Sequence, residues 1–91
     1  PKGGGLVGPD VESQTRQVLA NIGAILKAAG RTWRDVVRVE IFLADMGEFQ
    51  VVNRLYGECV DHEPKPARQT VQVARLPLDA RVEISCIATA S

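Results

Sequence analysis

Val36-Val37-Arg38-Val39-Glu40-Ile41-Phe42-Leu43-Ala44 runs directly into Asp45-Met46-Gly47-Glu48-Phe49-Gln50-Val51-Val52-Asn53-Arg54-Leu55-Tyr56. The first run is rich in β-branched side chains and alternates. Val37, Val39, Ile41 and Leu43 fall on one face and Arg38, Glu40 and Phe42 on the other, the pattern of a strand with one buried face. The period then changes. Asp45 and Glu48 have capping-box spacing, and Phe49, Val52, Leu55, Tyr56 and Val60 recur at helical intervals. A strand feeding an amphipathic helix predicts a layered α/β unit in which the helix covers the apolar face of a sheet.

Upstream, Asp10 is placed to cap a helix whose Val18, Leu19, Ile22, Ile25, Leu26 and Ala29 share a face, with Lys27 in the last turn and Gly30 at the stop. Thr32 and Asp35 form a second, shorter box that predicts one helical turn carrying Trp33 as an apolar cover. Pro1-Lys2-Gly3-Gly4-Gly5 has no periodicity and reads as a flexible loop. Its glycines lack the preceding strand and following lysine of a phosphate loop. Without an initiator Met at this end, further chain is expected upstream. Downstream, Pro64 and Pro66 stop the second helix. Strands over residues 67–74 and 81–89 follow, joined by a turn at Leu76-Pro77-Leu78-Asp79. The order αβαββ describes a single domain over residues 1–91, with both helices on one side of the sheet and the other side uncovered.

Composition narrows the functional classes. Eleven basic and eleven acidic residues cancel, so the summed field offers phosphate backbones no general attraction and nucleic acid is a disfavoured partner. No apolar run approaches the roughly 20 residues of a membrane helix, and no signal peptide is evident, so a soluble cytoplasmic protein is expected. Cys59 and Cys86 lack metal-ligand spacing and read as packed thiols. His62, the only histidine, lies between Asp61 and Glu63 and reads as a solvated loop residue rather than a triad member or metal ligand.

The last two strands carry the polar groups. Arg68, Thr70 and Gln72 alternate with Val71 and Val73, and Glu83 and Ser85 with Val82, Ile84, Cys86 and Ala88. If the helices cover the apolar sets, Arg68 and Glu83 share a polar face, which is either an ordinary wet surface or a site. Pairing these strands directly, Val73 against Ile84, separates Arg68 from Glu83 by roughly 20 Å. Joint action on one small ligand then needs a second subunit.

Several segments resemble the reactive intermediate deaminase family (Rid, or YjgF/UK114). They are Gln14-Thr15-Arg16-Gln17-Val18-Leu19 and Ile25-Leu26-Lys27-Ala28-Ala29-Gly30, Phe42-Leu43-Ala44-Asp45-Met46 with Phe49, Val52-Asn53 and Tyr56, and, most specifically, Pro66-Ala67-Arg68, Val71-Gln72-Val73-Ala74-Arg75-Leu76-Pro77 and Val82-Glu83-Ile84. The resemblance implies a chorismate-mutase-like or ferredoxin-like α+β fold, with an antiparallel-rich sheet backed by two helices, assembled as a homotrimer with intersubunit sites. It implies hydrolysis of 2-imino acids to 2-oxo acids and ammonia without metal or organic cofactor. Arg68 would hold the substrate carboxylate, Glu83 would act through water, and Asn53 and Thr70 would contact the substrate. The family's first two strands, which carry a tyrosine and a Ser-Gly pair, have no counterpart here, so full activity is expected to need them. Lys65 stands where an aromatic is common, and Ser85 where many relatives have a second glutamate. Non-catalytic binding of 2-oxo acids, or a ribonuclease or translation-inhibitor role, are the alternatives.

Overall fold

The computed structural model describes residues 10–63 and 65–89, which leaves the glycine run and Pro64 outside the described residues. Helix α1 (Val11–Ala28) starts where Asp10 accepts a hydrogen bond from the Ser13 amide. It ends before Gly30, whose φ of 75° is the left-handed conformation that glycine adopts without a Cβ penalty. Thr32 and Asp35 close the expected capping box around a single turn, Trp33–Asp35. Strand β1 (Val36–Leu43), helix α2 (Phe49–Cys59), strand β2 (Ala67–Gln72) and strand β3 (Val82–Ala88) complete the order αβαββ.

The three strands form one sheet in the order β2-β1-β3. β1 pairs with β2 in parallel, across the α2 crossover, and with β3 antiparallel. The last two strands therefore do not pair with each other, and the sheet is mixed, as a βαβ unit requires: parallel neighbours need a long connection, which α2 supplies. Beneath the helices, Val39, Ile41 and Leu43 of β1 and Val82 and Ile84 of β3 are buried against Leu19 and Leu26 of α1 and Val52 and Leu55 of α2. The opposite face carries no helix among the described residues.

Three details of the expected packing differ. Val37 is 46% exposed while Val36 is buried, because the β1–β3 register shifts between Val36 and Arg38 and Val37 becomes the extra residue of a bulge. Ile25, assigned to the apolar face of α1, is 68% exposed. The core side of that helix instead runs through Val11, Gln14, Thr15, Leu19 and Leu26. Glu48 does not complete a capping box: Asp45 accepts from the Gly47 amide, but the Glu48 carboxylate grips Arg81 at 2.7 Å and so ties the start of α2 to the start of β3. A second tie is partly buried, where the Arg81 amide donates to Gln14 Oε1 at 2.8 Å.

The bulge yields a direct test. Ile41→Ala should lower the unfolding free energy by about 2–5 kcal/mol, the range for removing buried aliphatic groups, whereas Val37→Ala should change it by less than about 0.5 kcal/mol. Urea unfolding of the two variants checks the assignment. Comparable losses would place Val37 in the core.

Candidate functional site

Phe49, Asn53 and Tyr56 are spaced i, i+4, i+7 and so share one face of α2, above the edge strand β2. Arg68 rises from β2 into that face. Its guanidinium carbon lies 5.5 Å from the Phe49 ring centroid and 5.3 Å from that of Tyr56, within cation–π range. Its Nη1 donates a hydrogen bond to Asn53 Oδ1. The aromatic rings and the amide together fix the guanidinium. Among the described residues it has no carboxylate partner within ion-pairing distance, unlike Arg16, Arg38, Arg54, Arg75 and Arg81.

Two cavities flank this cluster. One of about 500 Å³ is lined by Arg68, Asn53 and Tyr56 with Gly57, Val60, Asp61, Lys65 and Pro66. The other, about 740 Å³ and largely apolar, is lined by Met46, Phe49, Val51 and Thr70. Thr70 Oγ1 is covered and has no hydrogen-bond partner among the described residues. Gln72 closes the row, its Oε1 accepting from the Met46 amide at 2.6 Å.

Electrostatics follow from the same packing. Burial pushes the Tyr56 phenol above its ordinary pKa, and the neighbouring Arg68 charge partly offsets that rise. The two thiols are also pushed up, chiefly by burial. Both are free and half-buried, as packed cysteines should be. Among the described residues no group of three or more His, Cys, Asp or Glu side chains is arranged to hold a metal. No helix there is long and apolar enough to cross a membrane.

The four residues singled out by sequence divide. Arg68, Asn53 and Thr70 come together between α2 and β2. Glu83 does not join them. The register sets Arg68 beside Val39 and Glu83 beside Phe42, so the arginine is on the helix-covered face and the glutamate on the open one. The expected shared polar face of Arg68 and Glu83 is therefore absent. Alternation finds the two faces of a strand but not which is covered, and on the edge strand the polar set turned inward. With β1 between them, their backbones lie about 14 Å apart, from two strand spacings and three residue rises, rather than 20 Å. Phe49 and Tyr56, read from sequence only as core, are also part of the arginine's setting. The signal was there in their spacing with Asn53. His62 is a further correction: it is buried, not solvated.

This is a mixed-sheet α+β domain with an arginine anchored by Asn53, Phe49 and Tyr56 in a cleft beside strand β2. The chain belongs to the reactive intermediate deaminase (Rid, YjgF/UK114) family, whose profile, described as Endoribonuclease L-PSP, matches residues 1–90. It is 51% identical over 89 residues to the chloroplastic Reactive Intermediate Deaminase A of Arabidopsis thaliana, covering 98% of this chain and 47% of that protein. It is 51% identical over 79 residues to a RutC family protein of Synechocystis, covering 87% and 61%. The chain thus spans about half to three fifths of these relatives. The crystal structure of Escherichia coli TdcF with bound serine superposes with a TM-score of 0.86 at 38% identity, over 96% of this chain and 70% of that one.

The contact between Arg68 and Tyr56 can be tested by titration. Tyr56 is the only tyrosine, so ultraviolet difference spectroscopy follows its ionisation alone. Arg68→Met removes the positive charge that favours the phenolate, and the Tyr56 pKa should move further upward. A fall, or no change, would place the guanidinium elsewhere.

Proposed function

We propose that the chain is the Arg68-bearing part of an imine deaminase, which hydrolyses 2-iminobutanoate or 2-iminopropanoate type species to 2-oxo acids and ammonia. The observation that carries this reading is the Arg68 guanidinium, held by Asn53 beside Phe49 and Tyr56, with no carboxylate within ion-pairing distance among the described residues. A planar guanidinium offers parallel N–H donors to a carboxylate, and a bidentate pair fixes the adjacent carbon in space. Support also comes from the deaminase name of the Arabidopsis relative and from the serine bound to the Escherichia coli relative, an α-amino acid with a carboxylate beside a nitrogen-bearing carbon.

In this reading the substrate carboxylate lies on Arg68, Asn53 and Thr70 border it, and the side chain extends toward the apolar cavity. Water adds to the protonated imine carbon as Glu83 accepts a proton. Glu83 returns that proton to the nitrogen of the resulting carbinolamine, the C–N bond breaks and ammonia leaves, and the hydroxyl gives up its proton to water as its oxygen becomes the 2-oxo group. The iminium is already electrophilic, so the step needs no metal or organic cofactor. Because Glu83 is on the other face of its own sheet, the working pair is Arg68 of one subunit with Glu83 of another, in a homotrimer operating in the cytoplasm.

The test uses protein that includes the family's N-terminal strands and follows 2-oxo acid formation from an enzymatically generated imine. Arg68→Lys keeps the charge but loses the bidentate geometry, and kcat/KM should fall about ten- to hundredfold, the loss of a charged hydrogen bond. Unchanged activity would remove the assigned role. Affinity for 2-oxo acids without turnover would favour a binding module, and RNA cleavage by the purified protein would favour the role for which the family profile is named. Mixing Arg68→Ala with Glu83→Ala chains should restore activity in hybrid oligomers. If mass confirms reassembly but no activity returns, the shared site fails.

A further inference from the structure

We propose that the Tyr56 hydroxyl is a second carboxylate-binding group, acting with Arg68 to hold the carboxylate of a small 2-oxo or 2-imino acid. Tyr56 is 8% exposed. Its Oη has no hydrogen-bond partner among the described residues, yet it is not one of the side-chain oxygens cut off from solvent. Polar groups of packed side chains are nearly always paired, so a phenol whose ring is buried while its hydroxyl keeps an opening and no partner marks a place for a ligand. The cavity that Tyr56 lines is the one of about 500 Å³ it shares with Arg68, Asn53 and Lys65. The guanidinium carbon is 5.3 Å from the Tyr56 ring centroid, so the hydroxyl at the rim of the ring lies within the length of one small ligand from the arginine.

The lining of the cavity puts the carboxylate, rather than another part of the ligand, beside the phenol. Arg68 lines this cavity and not the larger apolar one. A carboxylate paired with the guanidinium therefore lies on the Tyr56 side, and the rest of the ligand points toward Phe49 and Thr70. Asn53 Oδ1 takes a hydrogen bond from Nη1 alone, which leaves Nη2 and Nε to form the parallel pair. A carboxylate has about four lone-pair sites, of which the bidentate pair fills two. The phenol is a donor for a third, because burial pushes its pKa above the ordinary value and keeps the O–H protonated at neutral pH. Asp61 is the one acid in the lining, against the two cations Arg68 and Lys65, so the cavity as a whole favours an anion. Lys65 is already occupied, donating to the Val60 carbonyl at 3.2 Å, whereas the phenol is unengaged. This role for Tyr56 rests on the reading of Arg68 as the carboxylate arginine and adds a neutral donor to it.

Tyr56 is the only tyrosine, so tyrosine labelled with ¹³C at Cζ gives a single resonance beside the hydroxyl. That resonance is followed while 2-oxobutanoate is added at constant ionic strength, which removes general screening effects, and affinity is measured in parallel by equilibrium dialysis. The resonance should shift saturably with 2-oxobutanoate and with propanoate, which shares only the carboxylate, and should stay in place with butanone, which lacks it. Tyr56→Phe keeps the ring beside Arg68 and removes the hydroxyl, and its Kd for 2-oxobutanoate should rise about tenfold, as for the loss of one hydrogen bond to a charged group. Arg68→Met should lose measurable binding. If Tyr56→Phe binds as tightly as the parent while Arg68→Met does not bind, the Tyr56 role is overturned and the carboxylate arginine stands. If the parent binds nothing, or Arg68→Met binds as the parent does, the arginine reading falls and the Tyr56 role with it. A Cζ resonance that moves equally with butanone, or stays unmoved at saturating 2-oxobutanoate, also overturns the contact. It is read on a chain that keeps Tyr56, so this outcome does not depend on how Tyr56→Phe folds.

Discussion

β1 is hydrogen-bonded on both sides, and its inward residues Val39, Ile41 and Leu43 are almost wholly excluded from solvent. That burial pins its register. Sliding a neighbour by one residue turns its whole inward set to the other face, and on β3 such a slip would expose Val82 and Ile84. On β2 the same slip would replace Arg68 with Gln69 beneath α2. The position of the arginine thus follows from hydrophobic burial two strands wide, although Arg68 itself contributes little to that core.

The row Arg68, Thr70, Gln72 lies on the covered side of the sheet, but α2 covers β2 only partly, so Arg68 and Gln72 stay exposed and avoid the usual penalty for buried polar groups. Each residue resolves its polarity differently. Gln72 bonds the Met46 amide. Arg68 holds its guanidinium within cation–π range of Phe49 and Tyr56 and gives one donor to Asn53. Thr70 alone bears that penalty: its covered hydroxyl, beside the apolar cavity, has no hydrogen-bond partner among the described residues. Cation–π contacts at an exposed guanidinium contribute only about 0.5–1 kcal/mol each. Their larger effect is positional, since an arginine held by neutral partners, with no ion pair among the described residues, would meet an anion without first giving one up.

Most elements were legible because their signals are local. Asp10 and Gly30 mark the ends of α1, Thr32 and Asp35 form their box, and the period changes at Asp45. What failed was non-local. Val37 fits strict alternation, but the bulge that exposes it belongs to the pairing with β3. Val71 and Val73 look like an inward set, yet the partner of β2 turns Arg68 and Thr70 inward. Consecutive strands often pair, but here β1 lies between β2 and β3, because α2 returns the chain parallel to β1. His62, between Asp61 and Glu63, has polar neighbours in sequence and a buried place in space. Its burial depends on how the loop folds back on the start of β1, which composition does not encode.

The placement of Arg68 and Glu83 also constrains any assembly in which they serve one ligand. Arg68 opens toward the β2 edge on the helix side, whereas Glu83 stands on the uncovered face beside Phe42. A two-fold dimer that joined open face to open face would bring two Glu83 side chains together and leave both arginines outside. Uniting unlike groups requires the open face of one copy to meet the β2 edge of the next. That contact is heterologous, and heterologous contacts continue from copy to copy until a ring closes. A cyclic assembly is then the simplest way to complete every site, with each subunit giving its arginine to one neighbour and its glutamate to the other. The exposed apolar residue Ile87, paired with Arg38 on the open face, would supply burial for that contact, with the Arg38–Glu40 ion pair beside it as its polar part.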